Sequence, residues 1–242
     1  MGDMIDRRLP LYLRLRDTIA GQIASTVWRP GQAIPTEAEL AAANGVAIGT
    51  VRKAIDVLVA DGLVERNQGR GTFVRRPSFD NSLLRFLRHQ RPDGGRVIPE
   101  SRILSRVAQV APETVGAALK LPPGSPVIRL GRLRLIDSLP VLAETIWLPQ
   151  VRFHRILDLP LGDFEPLLYP LYERLCCECV AAAEEILSVE TVDRDTAKLL
   201  DLAEGAAAVV IERLAFGYDG RPLEWRRSLA PAATFRYRVD IR

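Results

Sequence analysis

The side chains of this 242-residue chain that are equipped for chemistry fall into three groups. The first is Cys176, Cys177 and Cys179, crowded together with Glu178 between them. Its composition suggests thiol or metal chemistry, but its spacing does not. Structural zinc needs four well-spaced ligands, and the only histidines are His89 and His154, far off in sequence. Adjacent cysteines also point in different directions, so buried reduced thiols are expected. The second group is basic and interleaved with glycine: Gly49, Thr50, Arg52 and Lys53, then Gly69, Arg70 and Gly71. The third is Arg132 and Arg134, two residues apart, with Glu144 a short turn away, an arrangement that Glu224 and Arg226 repeat. Paired arginines suit bidentate contacts to carboxylate or phosphate. No nucleophile–base pair stands out and neither histidine sits in a recognisable motif, so neither a catalytic centre nor a metal or cofactor is expected.

Periodicity says which elements must carry these residues. After Leu9-Pro10, the residues Tyr12, Leu15, Ile19 and Ile23 recur at helical spacing, and Trp28-Arg29-Pro30-Gly31 supplies a stop. Thr36-Glu37-Ala38-Glu39 is a capping-box sequence, predicting a second helix to about Ala43. After the Asn44-Gly45 turn a third helix is predicted from about Ile48 to Ala60, with Val51, Ile55, Leu58 and Val59 as its apolar face. Leu63–Arg66 and Thr72–Arg75 flank a glycine-containing loop and read as a β-hairpin. Three helices followed by a hairpin is the order of a winged helix-turn-helix.

The stretch 77–95, rich in Pro, Ser, Asn, Asp and Gly, reads as a linker, with Leu83–Arg88 a short amphipathic segment inside it. Beyond it the texture changes to β-rich segments. Strands are predicted over 101–110, 127–136, 141–148, 180–189, 209–218 and 223–229, and helices over 112–119, 165–175 and 196–202. Asp137-Ser138-Leu139-Pro140 and Asp219-Gly220-Arg221-Pro222 read as hairpin turns. A short helix, a glycine turn and a hairpin recur at an offset of about 81 residues, which predicts a duplicated unit within one antiparallel sheet. The fold class is therefore α+β in two domains, 1–76 and 96–242.

Composition sets the bounds. The chain is 48% apolar and 26% charged, as globular proteins are. No apolar run is long enough to span a membrane, and the first residues lack the pattern of a signal peptide, so a cytoplasmic location is expected. The net charge of +3 is unevenly spread: residues 1–76 carry 11 basic against 8 acidic side chains, and residues 96–242 carry 19 against 20. The positive excess lies in the first third.

Pro10-Leu11-Tyr12, Pro30-Gly31, Ile34–Ala41, Gly49–Ile55, Asp61–Val64 and Gly69–Val74 resemble the GntR family of bacterial transcription regulators, nearly continuously over residues 9–75. The second half is similar to the ligand-sensing UTRA domain of the HutC branch, whose fold is like that of chorismate lyase. This likeness is carried by Leu119–Arg134, Pro140–Pro149 with Glu144-Thr145, Asp219–Arg226 and Phe235-Arg236. The resemblance implies a homodimer that binds double-stranded operator DNA, usually as a repressor, under the control of a small effector. DNA contacts are expected from Thr36, Glu37, Gly49, Thr50, Arg52, Lys53, Gly69, Arg70, Gly71 and Thr72. Among these, Thr36 would hold a phosphate at a helix N-terminus and Arg70 would enter the minor groove. Family members often carry arginine or hydroxyl residues where this chain has Ala38, Ala47 and Ile48, which shifts base readout toward Thr50, Arg52 and the wing. Effector contacts are expected from Arg132, Arg134 and Glu144, with Glu224, Arg226, Arg102 and Tyr169 as further candidates. The paired arginines suggest an anion, such as a phosphorylated sugar or a carboxylate. Two other readings are an enzyme of chorismate-lyase-like fold fused to a DNA-binding head, and an architectural DNA-binding protein with no effector.

Overall fold

The structure is a computed structural model and describes residues 9–76 and 99–237. The expected linker 77–95, with its Leu83–Arg88 segment, lies outside the described residues. The chain divides into two compact units, Met1–Pro77 grouped with the turn Gly217–Gly220, and the remainder. Each is taken separately.

The first unit has helices α1 (Leu11–Ala24), α2 (Glu37–Asn44) and α3 (Ile48–Ala60), then the hairpin β1 (Val64–Asn67) and β2 (Gly71–Val74). Helix α1 buries Leu15, Ile19 and Ile23. It stops at Ala24, ahead of the Pro-Gly turn, because Thr26 takes a left-handed conformation at φ 58°. Helix α2 ends on Gly45 at φ 62°, a left-handed cap that glycine adopts without strain. Helix α3 has the expected bounds, but its buried stripe is Val51, Ala54, Ile55 and Leu58; Val59 turns outward. Ala33 bridges to Phe73, adding a short third strand to the wing.

The second unit is one six-stranded sheet in the order β3-β4-β5-β8-β7-β6. Its strands are β3 (Glu100–Val110), β4 (Pro126–Ile136), β5 (Leu139–Pro149), β6 (Val180–Thr191), β7 (Ala207–Gly217) and β8 (Pro222–Pro231). The β4–β5 hairpin turns on Asp137 and Ser138, both at positive φ, so this is a two-residue connection and Leu139 already belongs to β5. Helix α4 (Glu113–Ala118) precedes β4, and helix α7 (Arg194–Leu200) precedes β7. The run β3-α4-β4-β5 thus recurs as β6-α7-β7-β8, with β4 and β7 starting 81 residues apart, and β5 meets β8 at the middle of the sheet. The repeat read from the sequence is a palindromic sheet.

Both faces of the sheet are covered. Val115 and Leu119 of the α4 segment pack with Val127 and Trp147, and Leu200 of α7 packs with Leu133, Leu135 and Ala143. The opposite face carries Ile128, Leu130, Ile146 and Leu148 under helix α5 (Gln150–Phe153), two 3-10 turns and helix α6 (Leu168–Cys176), from which Leu168, Leu171 and Tyr172 are buried. Helix α6 starts three residues later than the sequence pattern predicts. Pro166 disfavours helical geometry at Glu165, whereas Pro170 falls in the first turn, where a missing N–H costs nothing.

Candidate functional site

In the first unit, ion pairs tie the start of α2, the exposed side of α3 and the wing together. The Glu37 carboxylate accepts from Arg52 Nε and Nη2, both at 3.1 Å, and from Arg66 Nη2 at 3.4 Å. Arg66 also donates from Nη1 to Asp56 at 2.6 Å. Sequence reading missed Arg66; it stands opposite Thr72 in the wing. Thr50 is half-buried and Lys53 exposed on the first turns of α3. A Cβ added at Gly49 would meet nothing within 4 Å, so nothing in the described residues repays the roughly 1 kcal/mol that glycine costs a helix against alanine. At the wing tip Gly69 and Gly71 have φ of +73° and +111°, and the Arg70 guanidinium lies 5.9 Å from the centre of the Phe73 ring.

Thr36 caps α2. Its hydroxyl accepts from the Glu39 N–H at 3.3 Å and donates to Glu39 Oε2 at 2.8 Å, while its own N–H donates to that same oxygen at 2.8 Å. These hydrogen bonds hold the Glu39 carboxyl below its ordinary range. The capping box is complete, and the Glu39 carboxylate lies against the N-terminus of α2.

In the second unit, the α6-covered face of the sheet carries a buried polar cluster: Arg132, Arg134, Glu144, Arg213, Glu224, Arg226 and Ser228. Strand register explains the convergence. Arg132 pairs with Glu144, Glu144 with Ser228, and Arg226 with Arg213, and side chains two residues apart on a strand share a face. Arg132 Nε donates to Glu144 Oε2 at 2.5 Å, Ser228 donates to Glu144 Oε1 at 3.1 Å, and Arg226 Nη1 lies 3.6 Å from that oxygen. Glu224 takes Arg226 at 2.7 Å and the hydroxyls of Tyr172 at 2.7 Å and Tyr169 at 3.3 Å, both from α6. The Arg226 guanidinium also lies over the Tyr169 ring. Arg213 donates from Nε to Glu185 of β6 at 2.6 Å.

The cluster has too few acceptors. Among the described residues Arg134 donates only to the carbonyls of Pro166 at 2.9 Å and Pro99 at 3.3 Å. Nη1 and Nη2 of Arg132, Nε of Arg134 and Nε of Arg226 are buried without a hydrogen-bond partner among the described residues. Buried guanidinium donors are costly when unmet. Burial, with the like charge of Arg132, pulls the Arg134 guanidinium down to about 10. Burial pushes the Glu144 carboxyl up, but the guanidiniums of Arg132, Arg226 and Arg134 outweigh it and hold it at about 2. Four arginines here face three carboxylates, and the surplus is positive.

Of the residues predicted for this site, the structure gathers Arg132, Arg134, Glu144, Glu224, Arg226 and Tyr169. Arg102 is a correction. Its neighbour Ile103 pairs with Arg132 and is buried, so alternation puts Arg102 on the opposite face, exposed and paired with Glu100 at 3.0 Å. Arg213 was missed, although its signal was present: it lies 81 residues after Arg132. Tyr172, Ser228 and Glu185 had no signal short of the fold. The cysteines are not the buried thiols that the sequence predicts: Cys177 is exposed at the left-handed cap of α6, and Cys176 and Cys179 are half-buried.

Residues 11–74 match the gntR family of bacterial regulatory proteins, and residues 95–236 match the UTRA domain. The chain is 26% identical over 224 residues to the HTH-type transcriptional repressor NagR of Bacillus subtilis, covering 91% of this chain and 90% of that one. It is 27% identical over 222 residues to the mannosyl-D-glycerate transport/metabolism system repressor MngR of Escherichia coli, covering 90% of each. Among solved structures it is similar to the ligand-binding domain of a GntR-family transcriptional regulator from Bordetella bronchiseptica. That match has a TM-score of 0.60 and 28% identity, and covers 69% of this chain and 99% of that one. These relatives are transcriptional regulators, not enzymes. No helix among the described residues is long and apolar enough to cross a membrane.

Proposed function

Since the chain belongs to the gntR family of bacterial regulatory proteins, with a winged helix-turn-helix followed by a UTRA domain, we propose that it is a cytoplasmic homodimeric repressor governed by an anionic effector. The effector sits against Arg132, Arg134 and Arg226. The observation that carries this reading is the set of buried, unmet guanidinium donors around a single carboxylate, Glu144. A phosphate or carboxylate supplies the acceptors and the negative charge that the cluster lacks. The relative named for a mannosyl-D-glycerate system points to the same chemistry, since glycerate carries a carboxylate.

On the DNA side, Arg52, Lys53 and Thr50 contact the operator from the start of α3, and Arg70 does so from the wing, with Gly69, Gly71 and Thr72 shaping that approach. Open space at Gly49 supports close passage of a phosphate. Glu37 holds Arg52 and Arg66 in register between the two elements. The effector acts through segment 77–95 and must bind one arrangement of the dimer better than the other, because equal affinity shifts nothing. A thermal-shift screen pairing sugar phosphates and sugar acids with their neutral parents, followed by operator footprinting with the hits, tests the proposal. Anionic members should stabilise the protein and change the footprint; a screen in which only neutral members bind overturns it.

A further inference from the structure

Helices α2 and α3 carry only two cations, Arg52 and Lys53. Ala38, Ala47, Ile48 and Gly49 offer no side-chain donor beside them. The Arg52 side chain is 62% exposed, yet it is held in place. Its Nε and Nη2 both donate to Glu37 Oε2 at 3.1 Å. That contact uses the side edge of the guanidinium. The end edge, one N–H from Nη1 and the second from Nη2, has no partner among the described residues. Arg66 is arranged the other way. Its Nη1 donates to Asp56 at 2.6 Å and its Nη2 to Glu37 Oε1 at 3.4 Å, so its end edge is spent within the protein. Arg66 is thus a brace: with Oε1 taken, Glu37 turns Oε2 to Arg52.

We propose that Arg52, positioned by Glu37, reads one guanine in the major groove, end-on through Nη1 and Nη2. The inference rests on the DNA-binding reading proposed above and names what that contact recognises. Guanine presents two adjacent acceptors, O6 and N7, which match two parallel N–H groups. Adenine sets an N6 donor beside its N7, which opposes one of them. A phosphate can also accept both, but Glu37 decides against it. Its carboxylate offsets the charge that draws Arg52 to a phosphate and keeps the donor direction that a base edge requires. Lys53 is exposed, has no ion pair among the described residues, and supplies the phosphate contact beside it.

The test uses the full chain and a duplex that it selects from a random-sequence pool, with affinities read by fluorescence anisotropy. Each guanine of the selected half-site is replaced in turn by adenine, and then by 7-deazaguanine, which keeps base pairing but lacks the N7 acceptor. At one guanine per half-site, adenine should cost about 5- to 150-fold in affinity and 7-deazaguanine several-fold. Arg52→Ala should bind the normal and the 7-deazaguanine duplex equally, with unchanged circular dichroism at this exposed site. Arg70→Ala, in the wing, should keep the wild-type ratio between the two duplexes. Glu37→Ala should shrink that ratio, whereas simple relief of repulsion tightens both duplexes alike. Wild-type protein that ignores 7-deazaguanine at every position overturns the proposal. So does an Arg52→Ala variant that loses the same factor on both duplexes, which makes Arg52 a phosphate contact and leaves DNA binding standing. A Glu37→Ala variant with the full wild-type ratio overturns the positioning role. A chain that enriches no duplex from the pool overturns the DNA-binding reading together with this one.

Discussion

Replacing Glu144 by Gln tests the charge balance of the buried cluster most directly. The substitution keeps the shape and removes one negative charge from among Arg132, Arg226 and Arg134. The native carboxyl is held at about 2 against an ordinary 4.5. Its ionised form therefore adds about 3 kcal/mol to stability at pH 7, at about 1.4 kcal/mol for each unit of displacement. The sign follows from the direction of the shift. With the folded value depressed, the contribution is complete above the unfolded value and is lost as pH falls through the folded one. Linkage gives about 2 kcal/mol remaining at pH 3.5 and a few tenths at pH 2. The glutamine variant has no such titration. Chemical denaturation of both proteins at pH 7 and pH 3.5 should show a gap of about 3 kcal/mol closing to about 2. Inorganic phosphate or sulfate should raise the melting temperature of the variant more than that of the wild type, since the anion replaces the lost charge. A variant within about 0.5 kcal/mol of wild type, the range of neutral surface substitutions, refutes the argument that Glu144 offsets an arginine surplus.

Other outcomes follow from the same geometry. Arg52→Ala should weaken operator binding by about 1–3 kcal/mol at fixed salt and leave effector binding by the full chain unchanged, by fluorescence anisotropy and calorimetry; undiminished operator affinity removes Arg52 from the interface. Glu37→Gln releases Arg52, leaves Arg66 with Asp56 alone, and removes a negative charge from the proposed DNA face. Binding to non-specific duplex should tighten while discrimination in favour of the operator falls. Burial, with Glu178 nearby, pushes the Cys176 thiol up to about 11, whereas Cys177 is exposed. Iodoacetamide at pH 8 should therefore alkylate Cys177 well before Cys176, read by peptide mass spectrometry.

What was legible in the sequence follows from which physical constraints are local. Capping and turn signals are local, so Thr36-Glu39, Gly45 and the hairpin of β1 and β2 could be read before any fold was known. The edge of a helix stripe is not: Val59 and Ala54 are equally compatible with helical spacing, and only tertiary packing chooses Ala54 for burial. The same limit governs the sensor. Alternation puts Arg132 and Arg134 on one face, but with helices on both sides of the sheet neither face is solvent, and the sequence does not say that the pair is buried. Which face Arg102 takes depends on the register of β3 against β4, which is set by long-range pairing and is not written in its own segment. Tyr169 and Tyr172 reach Glu224 across more than 50 residues, a contact that local spacing does not encode.

The duplication explains how a symmetric scaffold acquires an asymmetric site. In one half, Arg132 of β4 faces Glu144 of β5; at the equivalent place in the other half, Arg213 of β7 faces Arg226 of β8. Two copies of the first pairing would neutralise each other and leave nothing for a ligand. Two copies of the second would place four guanidiniums together with no carboxylate between them. The mixed arrangement lies between these extremes. Like charges directly opposite on a sheet are unfavourable, so the Arg213–Arg226 pairing stands only because Glu185 and Glu224 flank it. Glu224 is further occupied by two tyrosine hydroxyls, which fixes it in place. Glu144 alone then balances the remaining side, against Arg132, Arg134 and part of Arg226. On the proposed function, an anion that meets the donors of Arg132 and Arg134 left without a partner among the described residues would compete with Glu144 for the same charges.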